Sequence, residues 1–478
     1  MSKVNGYIKK EDRKTILLLC DDIRMHSGIG TMAREFVVNT AHRYNWVNLG
    51  AGINHPDAGK ALDLSADVNK KLGIEDSSVL VLPNNGYGDP VQVRGLMERF
   101  KPDAIYIFTD PRYWVWLFQM EREIRSQIPI FWLNIWDDYP SPLYNKEYYD
   151  SVDLLMGISK QTVNVNKLVL GEKADSKLLK YIPHGIDHEV FKPLDKTTDE
   201  FKSFKKDMFK DKEIDFVVFF NSRNIHRKRP ADVIFAYRIF CDMIGPDAYK
   251  KTALLMHTNP VDANGTDLSK VKEALTTEDM NVFFSKDKLS PNQMNFLYNV
   301  ADATALISSN EGWGLSLTES MLAGTMIIPN VTGGMQDQCR FENEKGEWID
   351  FDADFPSNHR GTYKKCGEWV APVFPSNISV AGSVPTPYIF DDRCTPEDVA
   401  LAIKSIYDLS PEERASRGLK GREWAMSDEA KMTSKAMSEN ISNAMEEAFE
   451  NFVPRPDYDL IKTEPLEKLQ VTHKLYNY

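Results

Sequence analysis

The chain has 478 residues, a length that usually corresponds to two or three domains and can bury large cores without disulfide or metal cross-links. Hydrophobic residues make up 42% and charged residues 27%, which excludes a wholly disordered or fibrous chain. The 58 lysines and arginines face 70 aspartates and glutamates, so the net charge is −12. A chain of that charge has no general attraction for a phosphate backbone, and any contact with nucleic acid would have to be local.

The cysteines and the first residues indicate the compartment. The five cysteines are widely scattered and none belongs to a C-x-x-C pair, which argues against a zinc site and against a disulfide framework. Residues 1–14 are polar and lack the apolar core of a signal peptide, and no run approaches the ~18 apolar residues of a membrane span. We therefore expect a soluble protein of the reducing cytoplasm.

Short apolar runs alternate with helix-like segments through the first part of the chain. Residues 15–20 form a continuous apolar run, which is typical of a strand buried on both faces. The segment 31–41 then places Met32, Phe36 and Val37 on one helical face. The same pattern predicts further strands at 78–82, 104–108, 128–135 and 154–158. Strands that alternate with helices indicate an α/β fold with a parallel sheet covered on both sides.

The alternation stops in a charged segment and then starts again. Residues 194–214 are rich in lysine, aspartate and glutamate, and we interpret them as a surface linker or a solvated helix. Further strands are predicted at 216–220, 252–256, 281–284, 304–307 and 325–329. Two α/β halves of similar size predict two Rossmann-like, doubly wound domains with a cleft between them, and such folds bind ligands at the carboxyl ends of their strands.

We place the first domain at residues 1–194 and the second at 195–425, with a carboxy-terminal helix and tail at 426–478. The composition of residues 411–449 is strongly helical. Within the second domain, residues 336–392 are rich in glycine, proline and aromatic residues and show little periodicity. A stretch of that length without regular structure is usually functional or partly disordered.

The most informative motif is the segment Asn310-Glu-Gly-Trp-Gly-Leu-Ser-Leu-Thr-Glu-Ser-Met-Leu-Ala-Gly324, which follows a predicted strand and opens a helix. Gly312 and Gly314 let a backbone approach a ligand closely, and the helix start presents free N–H groups to an anion. Glu311 and Glu319 supply carboxylates that can accept hydrogen bonds from vicinal hydroxyls. This combination suits a sugar nucleotide.

This segment resembles the Glu-x7-Glu motif of retaining glycosyltransferases with the GT-B fold, the glycosyltransferase family 4-like enzymes. Four further elements resemble the same family in the same order: Ser27-Gly-Ile-Gly30, Ile182-Pro-His-Gly-Ile-Asp187, Ser222-Arg-Asn-Ile-His-Arg-Lys228, and the strand and helix at 281–286 and 294–298. The resemblance implies a GT-B fold whose last helix crosses back to the first domain. It also implies a retaining transferase of hexosyl or pentosyl groups that needs neither cofactor nor metal.

The resemblance assigns the donor to the second half of the chain. Arg223 and Lys228 would neutralise the diphosphate and its developing charge, as fixed cations can in a site that excludes water. Arg227 and Arg229 are interpreted as the solvated members of the same basic turn.

Glutamates and glycines complete the donor site that the resemblance implies. Glu319 would bind the ribose hydroxyls and Glu311 the sugar ring, beside the backbone of Gly312, Trp313, Gly314 and Leu315. Gly28 and Gly30 of the first glycine-rich loop are further donor-binding candidates. The family is thought to use front-face attack, in which the leaving phosphate accepts the acceptor's proton, so no dedicated nucleophile is required.

Two other patterns compete with this interpretation. Gly28-Ile-Gly30-Thr-Met-Ala33 also fits a dinucleotide-binding fingerprint, but the preceding loop is too long and the next strand, near residues 46–49, is followed by no acidic residue for a ribose. Asp350-Phe-Asp-Ala-Asp354 contains two Asp-x-Asp units. Because this segment lies in the irregular insert, we interpret it as a solvated acidic loop and predict no metal site.

The acceptor side departs from the family. Where the family usually has a polar pair with a histidine, this chain has Asn134-Ile-Trp-Asp-Asp-Tyr139, so Trp136 stands at the expected histidine and Asp137 or Asp138 would take the polar role. Other acceptor-side candidates are the loop residues Asp110, Tyr113, Trp114 and Tyr139, whose rings could stack on a sugar, a phenol or an extruded base. For Asp110, a turn or N-cap role is equally consistent.

The acceptor itself stays open among a glycan, a small molecule and DNA. A viral-type transferase acting on hydroxymethylated bases would use the aromatic loops to hold a flipped base, although the net charge gives this no support. A GT-B sugar-nucleotide epimerase would use the same donor site without an acceptor. A non-catalytic sensor would bind the donor and turn nothing over.

Overall fold

The computed structural model describes residues 4–52, 54–210 and 212–456. Within them the chain forms two compact units. Unit 1 contains residues up to 136, then 141–185, and the carboxy-terminal segment from 434. Unit 2 contains residues 137–140 and 186–433.

Unit 1 is built on an eight-stranded sheet with the order β3-β4-β2-β1-β5-β6-β7-β8. The strands are β1 (Lys14–Asp21), β2 (Tyr44–Ala51), β3 (Leu62–Asp63), β4 (Val79–Pro83), β5 (Ala104–Phe108), β6 (Ile130–Asn134), β7 (Leu154–Gly157) and β8 (Leu178–Tyr181). All neighbours pair in parallel except β3 with β4. The predicted strands β5, β6 and β7 are buried along their whole length, whereas β4 fully buries only alternate residues.

Helices follow the strands of unit 1. They are α1 (Gly28–Thr40), α2 (Ser65–Leu72), α3 (Pro90–Phe100), α4 (Val115–Gln119), α5 (Glu121–Arg125), α6 (Lys146–Asp150) and α7 (Lys160–Leu170). Short polar side chains define several starts: the hydroxyl of Ser27 accepts from Gly30 N at 3.0 Å, and the carboxylate of Asp89 accepts from Val91 N at 2.8 Å. As predicted, α1 buries Met32, Phe36 and Val37.

Unit 2 contains a five-stranded parallel sheet with the order β11-β10-β9-β12-β13 and a separate antiparallel hairpin. Its strands are β9 (Phe216–Asn221), β10 (Thr252–His257), β11 (Asn281–Ser285), β12 (Ala303–Leu306), β13 (Met326–Pro329), β14 (Asn377–Ser383) and β15 (Thr386–Arg393). Its helices are α8 (Asp199–Phe209), α9 (Pro230–Ile244), α10 (Pro246–Tyr249), α11 (Leu268–Leu275), α12 (Pro291–Val300), α13 (Leu315–Leu322), α14 (Pro396–Tyr407) and α15 (Pro411–Ala425).

The last described helix, α16 (Ser434–Asn451), belongs to unit 1 although it follows all of unit 2 in sequence. Its Glu446 accepts hydrogen bonds from Lys14 Nζ at 2.9 Å and from the Tyr44 hydroxyl at 2.6 Å. The ring of Phe449 packs edge-on against Phe131, with centroids 5.1 Å apart. The chain therefore returns to its first unit, as the GT-B resemblance implies.

Three segments differ from the sequence predictions. The charged segment 194–214 contains helix α8, which is not merely solvated because Phe201 and Phe209 are buried. The insert 336–392 contains the hairpin β14–β15, and its Val370 and Val373 form bridges to Ile327 and Asn330 at the sheet edge. Strand β8 is not predicted, because its four residues are only half-buried and carry a lysine.

No helix of the described ranges is long and apolar enough to cross a bilayer. The five cysteines all carry free thiols, and Cys20, Cys241 and Cys339 are buried.

Candidate functional site

The residues of the basic turn and of the Glu-x7-Glu segment meet at one point of the unit 2 sheet. The strand order reverses between β9 and β12, which are neighbours. The basic turn 222–229 follows β9, and the turn 307–314 follows β12. A backbone bond from Ser309 N to Arg227 O, 2.8 Å long, joins the two turns. In doubly wound sheets this switch point is where ligands bind.

Lys228 and Glu311 form an ion pair across the switch point, and both side chains are nearly nine-tenths buried. Arg227 adds a second cation, since its Nη1 donates to Asn310 O at 2.8 Å and to Glu311 Oε2 at 3.3 Å. Burial raises the pKa of Glu311, but the attraction of Lys228 and Arg227 outweighs it and the net pKa is lowered. Burial and the neighbouring Arg227 lower the pKa of Lys228 to about 8.

The four basic residues of the turn differ in burial and in partners. The interpretation of Arg227 as a solvated side chain holds only in part: the side chain is 39% exposed, but its guanidinium is fixed by Asn310 and Glu311. Arg223 lies further out: its side chain is 64% exposed and pairs with Asp262, Nε to Oδ2, at 2.8 Å. Its predicted role on a diphosphate stays a prediction.

The backbone of the turn before α13 is fixed by glycines that pack closely against it. Gly314 adopts φ +90°, a conformation that side chains disfavour, and Leu315 begins the helix behind it. Gly334 donates its N–H to Glu311 O at 2.9 Å. A Cβ at Gly334 would lie 1.9 Å from Gly312 O, so only glycine fits there. Beside them Trp313 is buried, and its indole N–H donates to Thr318 Oγ1 at 3.0 Å.

Glu319 lies in the second turn of α13 and accepts a hydrogen bond from the hydroxyl of Tyr298. That hydroxyl in turn accepts from Asn221 Nδ2 at 2.8 Å. Burial raises the pKa of Glu319 to about 7, although the Tyr298 bond opposes the shift. The carboxylate is thus held by α12 and the end of β9, with its ionisation poised near neutral pH.

Asp137 and Asp138, which are predicted to take a polar role at the reacting centre, lie in the segment 137–140 of unit 2. Asp138 is 7% exposed, and burial together with the neighbouring charge of Asp137 raises the pKa of its carboxyl well above the ordinary value. Hairpin β14–β15 holds the segment, because Phe390 N donates to Tyr139 O at 2.6 Å. Tyr139 is 1% exposed, so the prediction that its ring is available for stacking is wrong.

Unit 1 has a switch point of its own, between β1 and β5, where the strand order reverses. Asp21 ends β1 and accepts from Ser27 Oγ at 2.8 Å. Gly28 begins α1, and Gly30 packs so tightly that a Cβ there would lie 2.9 Å from the carbonyl oxygens of Asp22 and Met25. The first glycine-rich loop therefore serves at least the packing of α1 against the loop after β1.

Aromatic rings follow β4 and β5 at the same edge. Tyr87 and Tyr113 stack with centroids 4.1 Å apart and planes 9° from parallel. Asp110 caps the short 3-10 helix after β5, accepting from Arg112 N at 3.0 Å, so the predicted capping role is confirmed. Trp114, expected to stack on an acceptor, is fully buried beneath Tyr87, and that prediction is wrong.

The residue at the expected histidine position is buried as well. Trp136 is 7% exposed, and its carbonyl accepts from Thr162 Oγ1 at 2.8 Å. The Asp-x-Asp residues lie in turns, where Asp350 and Asp352 accept from the nearby backbone. In the part of the chain that the structure describes, no group of three or more histidine, cysteine or acidic side chains could hold a metal ion.

Several residues of these sites were missed by sequence reasoning. Tyr298 lies in a segment that resembles the family, but nothing in the sequence connects it with Glu319. Gly333 and Gly334 follow the end of β13 within five residues. A glycine pair soon after a predicted strand is a signal that could have identified them as site residues. Tyr87 and Asp21 are brought to one edge only by the strand order.

Comparisons with known proteins show which family and which fold the chain resembles. Residues 201–354 match the family model described as glycosyl transferases group 1. A curated relative, the D-inositol 3-phosphate glycosyltransferase of Corynebacterium jeikeium, is 24% identical over 194 residues. The match covers 40% of this chain and 44% of that protein, so the chain aligns with less than half of the relative's length.

Solved structures share the fold across most of the chain. Anabaena HepE in complex with UDP and glucose has a TM-score of 0.61 at 14% identity, covering 91% of this chain and all of its own. A glycosyltransferase from Rickettsia africae has a TM-score of 0.61 at 13% identity, and the match covers 92% of this chain and 100% of that protein. Sucrose-phosphate synthase from Thermosynechococcus elongatus has a TM-score of 0.64 at 13% identity, and the match again covers 92% of this chain and 100% of that protein. Residues 201–354 are thus similar to the glycosyl transferases group 1 family, and the chain has the GT-B fold that these solved structures share.

Proposed function

We propose that the protein transfers a sugar from a nucleotide-diphosphate donor to an acceptor hydroxyl, with retention of the anomeric configuration and without a metal or cofactor. The observation that carries the proposal is the arrangement at the unit 2 switch point. There, two cations, Arg227 and Lys228, lie against Glu311 beside the start of α13, and Glu319 follows in the same helix.

Each group of this arrangement has a task in the reaction. The cations and the free N–H groups at the start of α13 would bind the diphosphate and stabilise the charge that develops as the sugar leaves. Glu319 would accept hydrogen bonds from the ribose hydroxyls, and Glu311 from the sugar. Because Lys228 shares its charge with Glu311 in the free protein, a bound diphosphate would replace that carboxylate as its main anionic partner.

The step breaks the bond between the anomeric carbon and the diphosphate oxygen and forms one between that carbon and the acceptor oxygen. The acceptor's proton passes to the departing diphosphate. The products are a glycoside and a nucleoside diphosphate. Asp137 and Asp138 are the polar groups proposed to orient the acceptor, and their location in unit 2 is consistent with a place near the donor.

A uridine donor is the first to test, since Anabaena HepE of the same fold was solved with UDP and with UDP-glucose. Thermal unfolding is measured with UDP, GDP, ADP, CDP and NAD, for the wild type, Glu319→Ala and the surface control Glu273→Ala, whose side chain is 70% exposed. Ligand at 100 times its dissociation constant adds about 2.7 kcal/mol of stability.

One nucleoside diphosphate is expected to stabilise the wild type and Glu273→Ala, and Glu319→Ala much less. The matching nucleotide sugar is then incubated with candidate acceptors, and the product's anomeric configuration is read by NMR. Stabilisation by NAD alone, or by no nucleotide, would contradict the proposal, and conversion of the donor without an acceptor would favour an epimerase.

A further inference from the structure

The carboxyl edge of the unit 1 sheet has a charge and shape that narrow the chemistry of the acceptor. The neighbours β4, β2, β1 and β5 run parallel, so the loops that follow them emerge at one edge. Asp21 ends β1 and Asp110 follows β5, so the two carboxylates flank the unit 1 switch point. This is the edge at which a doubly wound unit binds its ligand.

All three lysines and arginines in the described residues of these four loops are in ion pairs. Arg24 pairs with Asp22 at 2.6 Å and also lies 3.8 Å from Asp57. Lys60 pairs with Asp57 at 2.9 Å. In the loop after β5, Arg112 Nε lies 3.2 Å from Asp110 Oδ2.

Carboxylates outnumber these cations at the edge, five to three. The two outside the ion pairs are Asp21, which accepts from Ser27, and Asp89, which caps α3. Every lysine and arginine in the described residues of these loops is therefore already paired with a carboxylate. The edge carries a net negative charge, so it would repel the negative charge of a phosphorylated acceptor. At the unit 2 switch point two cations share one carboxylate, Glu311, whereas these three cations have three carboxylate partners, so a phosphate meets no excess of positive charge here.

An uncharged ring with several hydroxyls meets none of these obstacles. Its hydroxyls can donate to carboxylates, which accept hydrogen bonds more strongly than neutral groups. Its C–H face can lie on an aromatic ring, and Tyr113 is 37% exposed while its other face is fixed on Tyr87. Burial raises the pKa of the Tyr87 hydroxyl, and the negative charges of Asp21 and Asp110 add to the increase.

The negative charge of the edge would attract a cationic acceptor, but at the exposed ring such an acceptor would meet the positive charge of Arg112. The guanidinium of Arg112 lies 5.1 Å from the ring centre of Tyr113, so the ring already has a cation as neighbour. We propose that the acceptor is an uncharged polyhydroxylated ring, a sugar or cyclic polyol without phosphate, bound at Asp21, Asp110 and the Tyr87–Tyr113 stack. The inference rests on the proposed transfer function.

The test compares acceptors that differ only in charge. Glucose is paired with glucose 6-phosphate, and myo-inositol with inositol 3-phosphate, while glucosamine serves as the cationic ring. Rates are measured at low and high salt with the nucleotide sugar whose nucleoside diphosphate stabilises the wild type in the thermal experiment. Binding of each ring is measured separately by saturation-transfer NMR, so that a result does not depend on turnover.

The unphosphorylated ring of a pair is expected to be preferred by roughly tenfold or more, with a KM that does not change with salt. Tyr113→Ala and Asp21→Asn should raise that KM, whereas Tyr113→Phe, which keeps the ring, should not. Asp67→Asn, an exposed carboxylate on α2, is the control for the aspartate change.

Preference for a phosphorylated ring or for glucosamine would overturn the inference, as would failure of every uncharged ring both to react and to bind. Each of these results is compatible with the proposed function if a nucleoside diphosphate still stabilises the protein against thermal unfolding. If no nucleotide protects it, the proposed function itself fails, and the binding measurement still decides whether the edge holds an uncharged ring.

Discussion

Lys228 and Glu311 lie 83 positions apart in the sequence, yet they form a buried ion pair at the point where the strand order of unit 2 reverses. Each residue belongs to a turn that follows one of two neighbouring strands. Burial alone would favour neutral side chains, so the pair persists because each charge compensates the other. A ligand with a diphosphate group can take over the role of the glutamate.

Replacing Lys228 with Met is expected to cost about 3–5 kcal/mol of stability, because Glu311 is then left buried with only Arg227 for a partner. Transfer should fall by a factor on the order of 100 to 1,000, since a fixed charge on the leaving group is lost. In the double variant Lys228→Met/Glu311→Gln most of the stability should return while transfer stays low. Urea unfolding and kcat measure the two effects separately.

The matched control is Lys270→Met, at a lysine on α11 whose side chain is 73% exposed. It should change neither stability nor rate. A double variant that recovers its rate together with its stability would show that the pair is structural only.

The pKa of Glu319 predicts a stability that depends on pH. An ordinary glutamate has a pKa near 4.5, and burial raises that of Glu319 to about 7. Since the folded pKa is the higher one, the stabilising contribution is fully present below about pH 4.5 and is lost as the pH rises through 7. Between these limits the stability of the wild type should fall by up to roughly 3 kcal/mol relative to Glu319→Gln.

Donor binding should show the opposite trend. An ionised Glu319 is the better acceptor for ribose hydroxyls, so the affinity for the nucleotide sugar identified by the thermal experiment is expected to rise as the pH passes from about 6 to about 7.5. Calorimetric titration of wild type and Glu319→Gln measures this, and the variant should show a flat profile. A wild-type affinity that does not change with pH in this window would contradict the assignment of the carboxylate to the ribose.

Arg227 and Arg223 should differ in what their loss does to stability. Arg227→Ala removes charge-assisted bonds to Asn310 and Glu311, with an expected cost of about 1.5–3 kcal/mol. Arg223→Ala breaks an exposed pair and should cost at most about 1 kcal/mol. Both should lower transfer if both contact the diphosphate. Chemical unfolding and kcat/KM of the two variants are compared with those of Arg238→Ala, a surface pair on α9.

The glycine at 334 should tolerate no side chain. Gly334→Ala places a Cβ 1.9 Å from Gly312 O, so the backbone of the turn 307–314 has to move. We expect a loss of about 1–3 kcal/mol and weaker nucleotide binding. Gly95→Ala is the control, because a Cβ inside α3 meets nothing within 4 Å and should stabilise the helix by up to about 1 kcal/mol. A Gly334→Ala protein with normal stability and affinity would refute the packing argument.

The strands could be predicted because their signal is local. The run at 104–108 coincides with β5, and the others agree to within one or two residues, since continuous apolar runs are typical of strands buried on both faces. The hairpin β14–β15 was not predicted, because its strands are mostly exposed or half-buried and lack that pattern. Its bond from Phe390 to Tyr139 joins residues far apart in the sequence.

Sequence alone determined that this chain is α/β. It also singled out the turns at 222–228 and 310–315 and the carboxylate of Glu319. Glycines, charges and apolar periodicity can be recognised within short contiguous segments, which is why these features were predictable. Only the tertiary structure decided which side chains of those turns meet. It placed Arg227 on Glu311 and Tyr298 on Glu319, and it buried Trp114. Such partners depend on strand order and on packing between distant segments, and neither leaves a periodic trace in the chain.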